Sequence, residues 1–466
     1  MDDSNIEVFN RLAEHWTAAI VTQIREMERE GQRVGVRGIE TEIRQRLRAL
    51  GAQVLSLVLS RVEGTPAATQ ACGCGGTLHY QRRRTAEVVS VFGPVTYRRG
   101  YYAECDCGHG QAPIDEQFGL QPGAVTAGLA ELLALTGIEL SFAGGAEWLE
   151  KFLLFRVSES TVREETERFG ALQAEVDEQQ SQIGQSADEL QALQRREAPT
   201  CQRVYGSLDA AKVRIEPRNL GEKAAPEREA WRDLKLGCWF EAEPVRPAQR
   251  SARQRTKVER DQPALRATAI EYFTDIAPAE AFGQLLWGTG CQRQAERVAE
   301  VIFVCDGAPW IWKLVERYYP DAVQIVDWYH AADCLKQVAL SAFSLELERA
   351  TWLDQTLARL WAGHLSEVIA ACQAVAARSD EARRAVGYFS ENQSRMRYAD
   401  FRARDYFIGS GTVESACKQI VAHRLKRSGA QWHLAGATQT AKARAAWLSG
   451  SWVALARQRD GLPLAA

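Results

Sequence analysis

Two consecutive buried strands that each end in an aspartate constrain the fold of this chain more than any other feature. The run VIFVCDG ends its apolar stretch at Asp306, and the run AVQIVD ends at Asp327. Each run is short enough for a strand, and a helical pattern follows each of them. Strands buried on both faces and connected by helices are typical of the sheet of an α/β protein. Because sites form at the carboxyl edge of such sheets, both aspartates are predicted at that edge.

Three further strand candidates precede this pair and predict the rest of the sheet. CQRVYGSLDAAKVRI holds Asp209 near its middle or end, and DLKLGCWFEAEP and LRATAIEYFTDI follow. Three meandering strands followed by strand, helix, strand and helix are the order of an RNase H-like core. We therefore predict an α/β fold with an RNase H-like catalytic core, formed by residues 200–332 and completed by helices and a basic tail in residues 409–466.

A glutamate near the C-terminus is a candidate third carboxylate for this core. The stretch GSGTVESACKQ predicts a helix start with Ser410 or Thr412 as its N-cap, which places Glu414 in the first turn. One interpretation of Glu414 is purely structural, since the helix dipole favours an acid there. For the two strand-end aspartates the structural alternatives are a turn residue at Asp306 and a helix N-cap at Asp327.

The other interpretation is that these carboxylates form a metal site. Asp209, Asp306 and Glu414 would then hold two divalent ions, and their oxygen ligands suit Mg²⁺ or Mn²⁺. Two such ions can activate an attacking oxygen and stabilise a leaving one in phosphoryl transfer. Taken together in this strand order, the three acids favour the active-site interpretation.

Residues 333–408 separate the last strand from Glu414 and are mostly helical by period, which predicts an all-helical insertion. The insertion ends in arginines interleaved with aromatic residues, including Arg395 and Arg397. Such residues can grip backbone phosphates and stack on unpaired bases. The alternative for each residue is helix core with solvated arginines.

The N-terminal part predicts two small modules. Apolar residues at three- and four-residue spacing predict a helical module in residues 1–66, and residues 67–120 change to short β-rich runs between two Cys-x-Cys pairs. The four cysteines are Cys72, Cys74, Cys105 and Cys107. Close-spaced thiols on two turns, separated by a hairpin, are typical of a zinc ribbon, with His109 as a possible substitute ligand. Such a zinc would be structural, and the alternative is a metal-free hairpin domain with spare thiols.

Residues 121–170 predict a helix-turn-helix-like segment. SFAGGAEWLEKFL is followed by a turn and by SESTVREETERFG, whose exposed face would carry Arg163. This arrangement suits a recognition helix in a major groove, although helix pairs are also common without DNA. The Gln- and Glu-rich residues 171–199 predict a solvated helical linker.

The charge distribution favours local rather than global contacts with DNA. The net charge of −3 excludes a globally basic nucleic-acid binder. Basic residues are nevertheless concentrated in Gln81–Arg84, in Pro244–Arg266 and after Glu414. The cations after Glu414 include Lys418, Arg424, Lys426 and Arg427. Such patches suit DNA contacts on selected faces, and the alternative for any one of them is solubility charge.

Cysteine usage and hydropathy indicate the compartment. The chain has 11 cysteines, an odd count, and most stand alone in apolar runs where a small buried thiol is the default. No apolar run reaches the length of a membrane span, and the N-terminus lacks the features of an export signal. We therefore expect a cytoplasmic protein without a membrane partner.

Several of these segments resemble DDE transposases of bacterial insertion sequences. They are DGAPWIW, IVDWYHA, ENQSRMRYADFRARDYFIGSGTVESACKQIVAHRLKRSGAQW, FGPVTYRRGYY and CDCGHG. The resemblance is to the ISKra-type family, which is related in catalytic layout to Mutator-like elements, and it covers nearly the whole chain from about residue 70. It implies a metal-dependent recombinase that binds the terminal inverted repeats of its element, cuts, and joins the freed 3′-OH to target DNA.

The resemblance also implies roles for individual residues. Asp209 and Asp306 would be the two catalytic aspartates and Glu414 the catalytic glutamate. Asp327 and His330 look like the D-x-x-H element of Mutator-like enzymes, for which a supporting role is implied. A homo-oligomer is expected by analogy, because such enzymes bring two DNA ends together. Two other functions stay open: a catalytically inactive DNA-binding regulator, and a stand-alone RNase H-like nuclease.

Overall fold

The computed structural model of the chain describes residues 35–62, 64–216, 230–245 and 265–461, with scattered positions between 14 and 29. Predictions for residues 1–13 and for most of the basic stretch Pro244–Arg266 lie outside the described residues. The chain divides into two compact units. The first comprises Met1–Phe169 and Val453–Ala466, and the second comprises Gly170–Trp452. Within the described part of the chain, every helix is too short or too polar to cross a membrane.

The first unit begins with a helix packed on a small antiparallel sheet. The helix Val36–Val62 precedes strands β1 (Thr69–Ala71), β2 (Thr77–Ser90) and β3 (Gly93–Ala103), which pair in the order β1-β2-β3. Alternate residues of β2 and β3 point to the core. The buried cluster is formed by Leu59, Ala86, Val88, Val95, Tyr97 and Ile114. The β-rich run predicted within residues 67–120 is thus present, and the helix Val36–Val62 lies in the segment predicted to be helical.

Three helices follow in the region of the predicted helix-turn-helix. They are Ala127–Glu139, Phe142–Leu153 and Glu159–Ile183. Ser141 caps the second helix by accepting the N–H of Gly144 at 3.1 Å. The third helix runs unbroken through residue 170, where the sequence suggested a boundary with the linker. Gly170 does not end the helix. Its lack of a side chain lets the backbone of Gln439 pack closely against the helix, since an added Cβ would collide with that backbone.

The second unit is built on a five-stranded mixed sheet with the order β6-β5-β4-β7-β8. The strands are β4 (Arg203–Arg214), β5 (Trp231–Pro244), β6 (Leu265–Asp275), β7 (Glu300–Cys305) and β8 (Val323–Val326). β4, β5 and β6 form an antiparallel meander. β7 pairs parallel with β4, and β8 pairs parallel with β7. Every strand predicted around an acidic residue is therefore present.

Helices connect and extend this sheet. Those before and between the strands are Ala187–Gln194, Ala279–Gln292 and Pro309–Tyr318. Those after β8 are Trp328–Ala342, Glu346–Trp361, Leu365–Val375, Asp380–Glu391 and Tyr398–Ala403. The segment between β8 and Gly411 contains helices and turns but no strand among its residues, all of which the structure describes. The predicted all-helical insertion is confirmed.

The C-terminal part departs from the predicted division. After Gly411–Ala416 and a π-helix over Cys417–Leu425, the helix Leu434–Ser449 packs along β6 in the second unit. The final residues, Val453–Ala466, group with the first unit, although the sequence assigned all of residues 409–466 to the catalytic core. A contact explains part of this difference: Arg459 Nη2 lies 3.7 Å from the buried Glu165 Oε2 of the first unit.

Candidate functional site

Strand register brings three aspartates to one edge of the five-stranded sheet. The last parallel pair of β4 and β7 is Gly206↔Phe303. Asp209 and Asp306 lie the same number of residues beyond that pair, so continuing the register places them side by side. In the same way, the pair Cys305↔Val326 places Asp306 next to Asp327. The strand ends therefore present a row of carboxylates, as the sequence predicted for the carboxyl edge.

Asp209 lies within β4 and is half-buried. Its Oδ1 accepts the N–H of Ala210 at 2.7 Å, and its Oδ2 accepts the thiol of Cys417 at 3.0 Å. Burial raises the pKa of the Cys417 thiol well above its usual range, and the charge of Asp209 raises it further. The thiol therefore keeps its proton at neutral pH and acts as a hydrogen-bond donor to Asp209.

Asp306 follows β7 in a tight turn. Its Oδ1 accepts the N–H of Ala308 at 2.9 Å, and its backbone carbonyl accepts the hydroxyl of Tyr388 at 3.1 Å. Gly307 adopts a φ of +97°, which glycine alone adopts at little cost. Burial raises the pKa of the Asp306 carboxyl, and the negative charge of Asp209 contributes to the increase. The negative charge of Asp327 raises it as well, while His330 acts in the opposite direction.

Asp327 is fully buried and caps the helix Trp328–Ala342. Its Oδ1 accepts the N–H of Tyr329, while its Oδ2 accepts both the N–H of Ser410, at 2.8 Å, and the Ser410 hydroxyl. Nδ1 of His330 lies 3.4 Å from the same Oδ2. The helix N-cap that the sequence offered as an alternative is confirmed. Both oxygens are occupied by donors, so Asp327 is suited to orient its neighbours rather than to bind a metal.

Glu414 lies in the first turn of the helix Gly411–Ala416, as predicted. Ser410 is the N-cap residue, but its hydroxyl bonds Asp327 and not the helix. Glu414 Oε1 lies 3.3 Å from the Ser410 hydroxyl and 3.7 Å from Nδ1 of His330. Its Oε2 lies 3.8 Å from Nζ of Lys418. The helix continues directly into the π-helix, a rare geometry that is frequent at functional sites.

His330 links Asp327 to Glu414. The candidate ligand atoms of Asp327, His330 and Glu414 all lie within 4.8 Å of one another. The hydrogen bond with Asp327 raises the pKa of His330 to about 9, and the charges of Asp327, Asp306 and Glu414 add to this effect. His330 is therefore a cation at neutral pH and partly balances the surrounding carboxylates. Asp209 and Asp306 do not belong to this close group, although the sequence grouped them with Glu414.

Two neighbours of the site were not found by sequence reasoning. Cys417 follows Glu414 by three positions, a helical spacing that could have signalled a shared face. Tyr388 lies far from Asp306 in the sequence, and no local pattern points to their contact. Cys417 bonds Asp209 and Tyr388 bonds the carbonyl of Asp306, so both residues border the candidate active site.

Some of the residues predicted to contact DNA are exposed, and others make hydrogen bonds within the protein. Arg163, Arg397, Lys418 and Lys426 are exposed. Arg395 is half-buried and bonds Glu316 at 2.7 Å and Gln324 at 2.6 Å. Arg427 is half-buried as well, and its Nε donates to the carbonyl of His423 at 3.0 Å.

The predicted role of Arg424 in DNA binding is wrong. The sequence placed it among the DNA-binding cations, but the structure buries it, with only 3% of its surface exposed. Its guanidinium lies over the ring of Trp432, 4.9 Å from the centroid. Burial lowers the pKa of Arg424 to about 9, and the nearby charges of Arg427 and Arg444 contribute. Arg424 is thus a packing residue of the π-helix and not a surface cation.

The four predicted thiols come together in the first unit. Sγ of Cys72 lies 3.5 Å from that of Cys107, and Sγ of Cys74 lies 3.4 Å from that of Cys105. All four sulfurs lie within 4.8 Å of one another. This cluster of four thiols fits a zinc ribbon, because four thiolates are a complete ligand set for structural zinc. His109 is not part of the cluster.

The turns that carry the thiols explain their approach. Gly75 N–H bonds the carbonyl of Cys72 at 2.9 Å, and Gly108 N–H bonds the carbonyl of Cys105 at 2.8 Å. An added Cβ on Gly76 would lie 2.7 Å from Sγ of Cys105, so only glycine fits there. A hydrogen bond from the N–H of Gly76 lowers the pKa of Cys74 to about 7, and hydrogen bonds from the neighbouring thiols make a smaller contribution in the same direction. A lowered pKa favours the thiolate form at Cys74, whereas hydrogen bonds from neighbouring thiols and burial raise the pKa values of Cys72, Cys105 and Cys107.

Comparison with known proteins adds no assignment to this geometry. No protein-family model matches the chain, and a search of curated proteins found no match. The resemblance to insertion-sequence transposases therefore stays a prediction, and what can be said of function depends on the two sites just described.

Proposed function

We propose that this chain is a DNA transposase that cuts and joins DNA by a metal-dependent DDE mechanism on an RNase H-like core. The observation that carries the proposal is the strand arrangement. Asp209 and Asp306 lie side by side on β4 and β7, at the centre of a sheet ordered β6-β5-β4-β7-β8. An antiparallel meander whose first strand pairs parallel with β7, which in turn pairs parallel with β8, supports the RNase H-like order predicted from the sequence.

The chemistry of the carboxylates fits a divalent cation. Asp209, Asp306 and Glu414 offer hard oxygen ligands, which suit Mg²⁺ or Mn²⁺. The raised pKa of Asp306, due to burial and to Asp209, indicates negative charge that a cation would stabilise. When bound, two such ions supply activation of the attacking oxygen and stabilisation of the leaving oxygen in phosphoryl transfer.

The residues around these acids would orient them and balance their charge. Asp327 holds the cationic His330, whose Nδ1 lies 3.7 Å from Glu414 Oε1. Lys418 approaches the other oxygen of Glu414 and is exposed, so it can also meet a DNA phosphate. Cys417 fixes one oxygen of Asp209 with its thiol. The contacts of Asp327 and His330 agree with the proposal that these two residues orient Glu414 and balance its charge.

DNA is the proposed partner, as terminal inverted repeats and as target. The exposed Arg163 lies on the helix Glu159–Ile183, the second helix of the predicted helix-turn-helix. Arg397, Lys418 and Lys426 are exposed in the second unit. We further propose that the four thiols bind one structural zinc, which would brace the N-terminal module without taking part in the reaction. A homo-oligomer would form when two DNA ends are brought together.

An excision assay tests this proposal. The purified chain would be mixed with Mg²⁺ and a donor plasmid that carries the DNA flanking its own coding sequence on both sides. An Asp306→Asn variant would be assayed in parallel, with an exposed-site Asp380→Asn variant as the matched control. Excision or joining by the wild type and by the control, but not by Asp306→Asn, is the expected result.

Other outcomes point to the remaining functions. Cleavage without joining would support a stand-alone nuclease. Specific binding to the flanking DNA with no product, at any Mg²⁺ or Mn²⁺ concentration, would support the inactive regulator and overturn the enzymatic proposal. Activity in Asp306→Asn equal to that of the wild type would remove Asp306 from the site.

A further inference from the structure

The helical insertion contacts the ends of the two parallel strands β7 and β8 through tyrosine hydroxyls. Tyr388, on the helix Asp380–Glu391, donates its hydroxyl to the carbonyl of Asp306 at 3.1 Å. Tyr398 donates to the carbonyl of Val326, the last residue of β8, at 3.0 Å. Both acceptors lie at the edge of the sheet that carries the aspartates. The insertion therefore contacts the backbone of the candidate active site directly.

The contact with Tyr388 falls on a turn beyond the end of β7. Asp306 has left the β7 ladder, and Gly307 after it has a φ of +97°. A glycine in this conformation is free to adopt many others, so the turn needs an external constraint to keep one geometry. An added Cβ on Gly307 would lie 3.0 Å from Cε2 of Tyr388. The tyrosine ring thus covers the glycine while its hydroxyl holds the preceding carbonyl.

The carboxylate of Asp306 is held in the same turn. Its Oδ1 accepts the N–H of Ala308, so both the carboxylate and the carbonyl of Asp306 are held by hydrogen bonds. Among the described residues, no hydrogen-bond donor reaches Oδ2 of Asp306, which leaves this oxygen for an external cation.

We propose that Tyr388 is a positioning residue that fixes the Asp306 turn and thereby sets the affinity of the site for its divalent cation. This inference rests on the proposed metal-dependent function, and it assigns to the helical insertion a role in the chemistry of the sheet edge. Loss of the hydroxyl would free the Asp306–Gly307 turn without removing any candidate ligand. The expected consequence is weaker metal binding, and not a loss of DNA binding.

The test compares two Tyr→Phe variants of the full-length chain. Tyr388→Phe removes the hydroxyl at the Asp306 end of β7. Tyr406→Phe is the matched control, because its hydroxyl bonds Glu300 Oε1 at 2.6 Å, at the opposite end of the same strand. Both changes delete one hydroxyl and keep the ring. For each protein, Mn²⁺ and Mg²⁺ titrations would be followed by the metal-induced rise in unfolding temperature without DNA, and by the rate of DNA cleavage.

We expect Tyr388→Phe to raise the half-saturating metal concentration about tenfold, the factor that corresponds to one net hydrogen bond. Its cleavage rate should recover most of the wild-type value at saturating metal, while Tyr406→Phe should match the wild type in metal dependence. Equal metal dependence in all three proteins would overturn the proposal and leave the enzymatic function standing. An equal rate loss in both variants at every metal concentration would mean a structural role only. If the wild type shows neither metal binding nor cleavage, the proposed function and this inference both fall.

Discussion

At the scale of single residues, the carboxylate of Asp327 has two roles, one in capping a helix and one in holding its neighbours near Glu414. Asp327 is the N-cap of a helix and also the acceptor for Ser410 and His330. Capping satisfies a helix donor, and the second oxygen remains available to hold a histidine next to Glu414. A structural and a functional interpretation of one residue are therefore not exclusive when the residue has two acceptor atoms.

Replacing Glu414 by glutamine separates metal binding from DNA binding. Glu414→Gln keeps the size of the side chain and removes the charge, so we expect cleavage to fall by about 100-fold or more, as when one group aimed at developing charge is lost. DNA affinity should stay within a few-fold of the wild type. Cleavage rate and dissociation constant, measured on the same DNA, check both parts. The control is Glu348→Gln, an exposed glutamate on the helix Glu346–Trp361. Full activity in Glu414→Gln would exclude this residue from the site.

Arg424 and Lys426 are expected to behave differently although both are basic and nearly adjacent. Arg424 is buried over Trp432, so Arg424→Ala should lower the free energy of unfolding by about 1–3 kcal/mol through lost packing. Lys426 is exposed, so Lys426→Ala should leave stability unchanged and reduce the salt slope of DNA binding by about 0.9. Denaturant unfolding and DNA titrations at several salt concentrations measure these effects. A reduced salt slope in a folded Arg424→Ala protein would show that the arginine reaches DNA after all.

At the scale of elements, the two turns of the small β-rich module carry four thiols beside a small apolar cluster. β1 has only three residues, and the cluster around Leu78 and Tyr102 is small. Small modules with little apolar surface depend on cross-links or metals for stability. The four thiols at the ends of the hairpin supply a place for one such link.

Zinc removal should therefore unfold this module. We expect one zinc per chain, and Cys72→Ser should abolish it and the cooperative unfolding of the first unit, because binding free energy is folding free energy in such sites. Gly76→Ala should weaken zinc binding, since its Cβ would press on Sγ of Cys105. Elemental analysis and thermal unfolding measure both effects. Cys201→Ser, in the second unit, is the control and should retain the zinc. Full stability of the metal-free Cys72→Ser protein would contradict a structural zinc.

At the scale of the whole molecule, a buried lysine connects elements that are distant in the sequence. Lys442, on the helix Leu434–Ser449, is 3% exposed and bonds Asp177 and also Asp275, the latter at 3.0 Å. Asp177 lies on the helix Glu159–Ile183, and Asp275 ends β6. One ammonium group thus joins two helices and the edge strand of the sheet within the second unit.

Breaking this connection should be costly. Lys442→Met leaves Asp177 buried without its cation, so we expect a loss of about 3–5 kcal/mol in the free energy of unfolding. Adding Asp177→Leu should recover part of the loss, because no buried charge then lacks a partner. Denaturant unfolding of the two variants measures both changes. The control is Lys212→Met, whose ammonium pairs with Asp233 at the surface; a loss in Lys442→Met no larger than in this control would contradict the role given to Lys442.

The sequence by itself determined the strands that carry the acids and the helices around them, but not every boundary, since the helix Glu159–Ile183 runs past the end predicted at residue 170. Apolar period, Gly turns and strand-end acids are local signals, and they located β4, β7, β8, the helical insertion and the two thiol turns. They also suggested the strand order, because the succession of strands and helices restricts the possible topologies. The sequence placed the helix start at Ser410 or Thr412, and with it Glu414 in the first turn, from N-cap preferences, although the Ser410 hydroxyl bonds Asp327 in the structure.

Only the tertiary structure decided which side chains meet. The side-by-side placement of Asp209 and Asp306 depends on strand register, which is set by packing across the whole sheet. The burial of Arg424, the bond of Tyr388 to Asp306 and the grouping of Val453–Ala466 with the first unit join segments far apart in the chain. No local pattern encodes such contacts, because they result from how complete elements pack against one another.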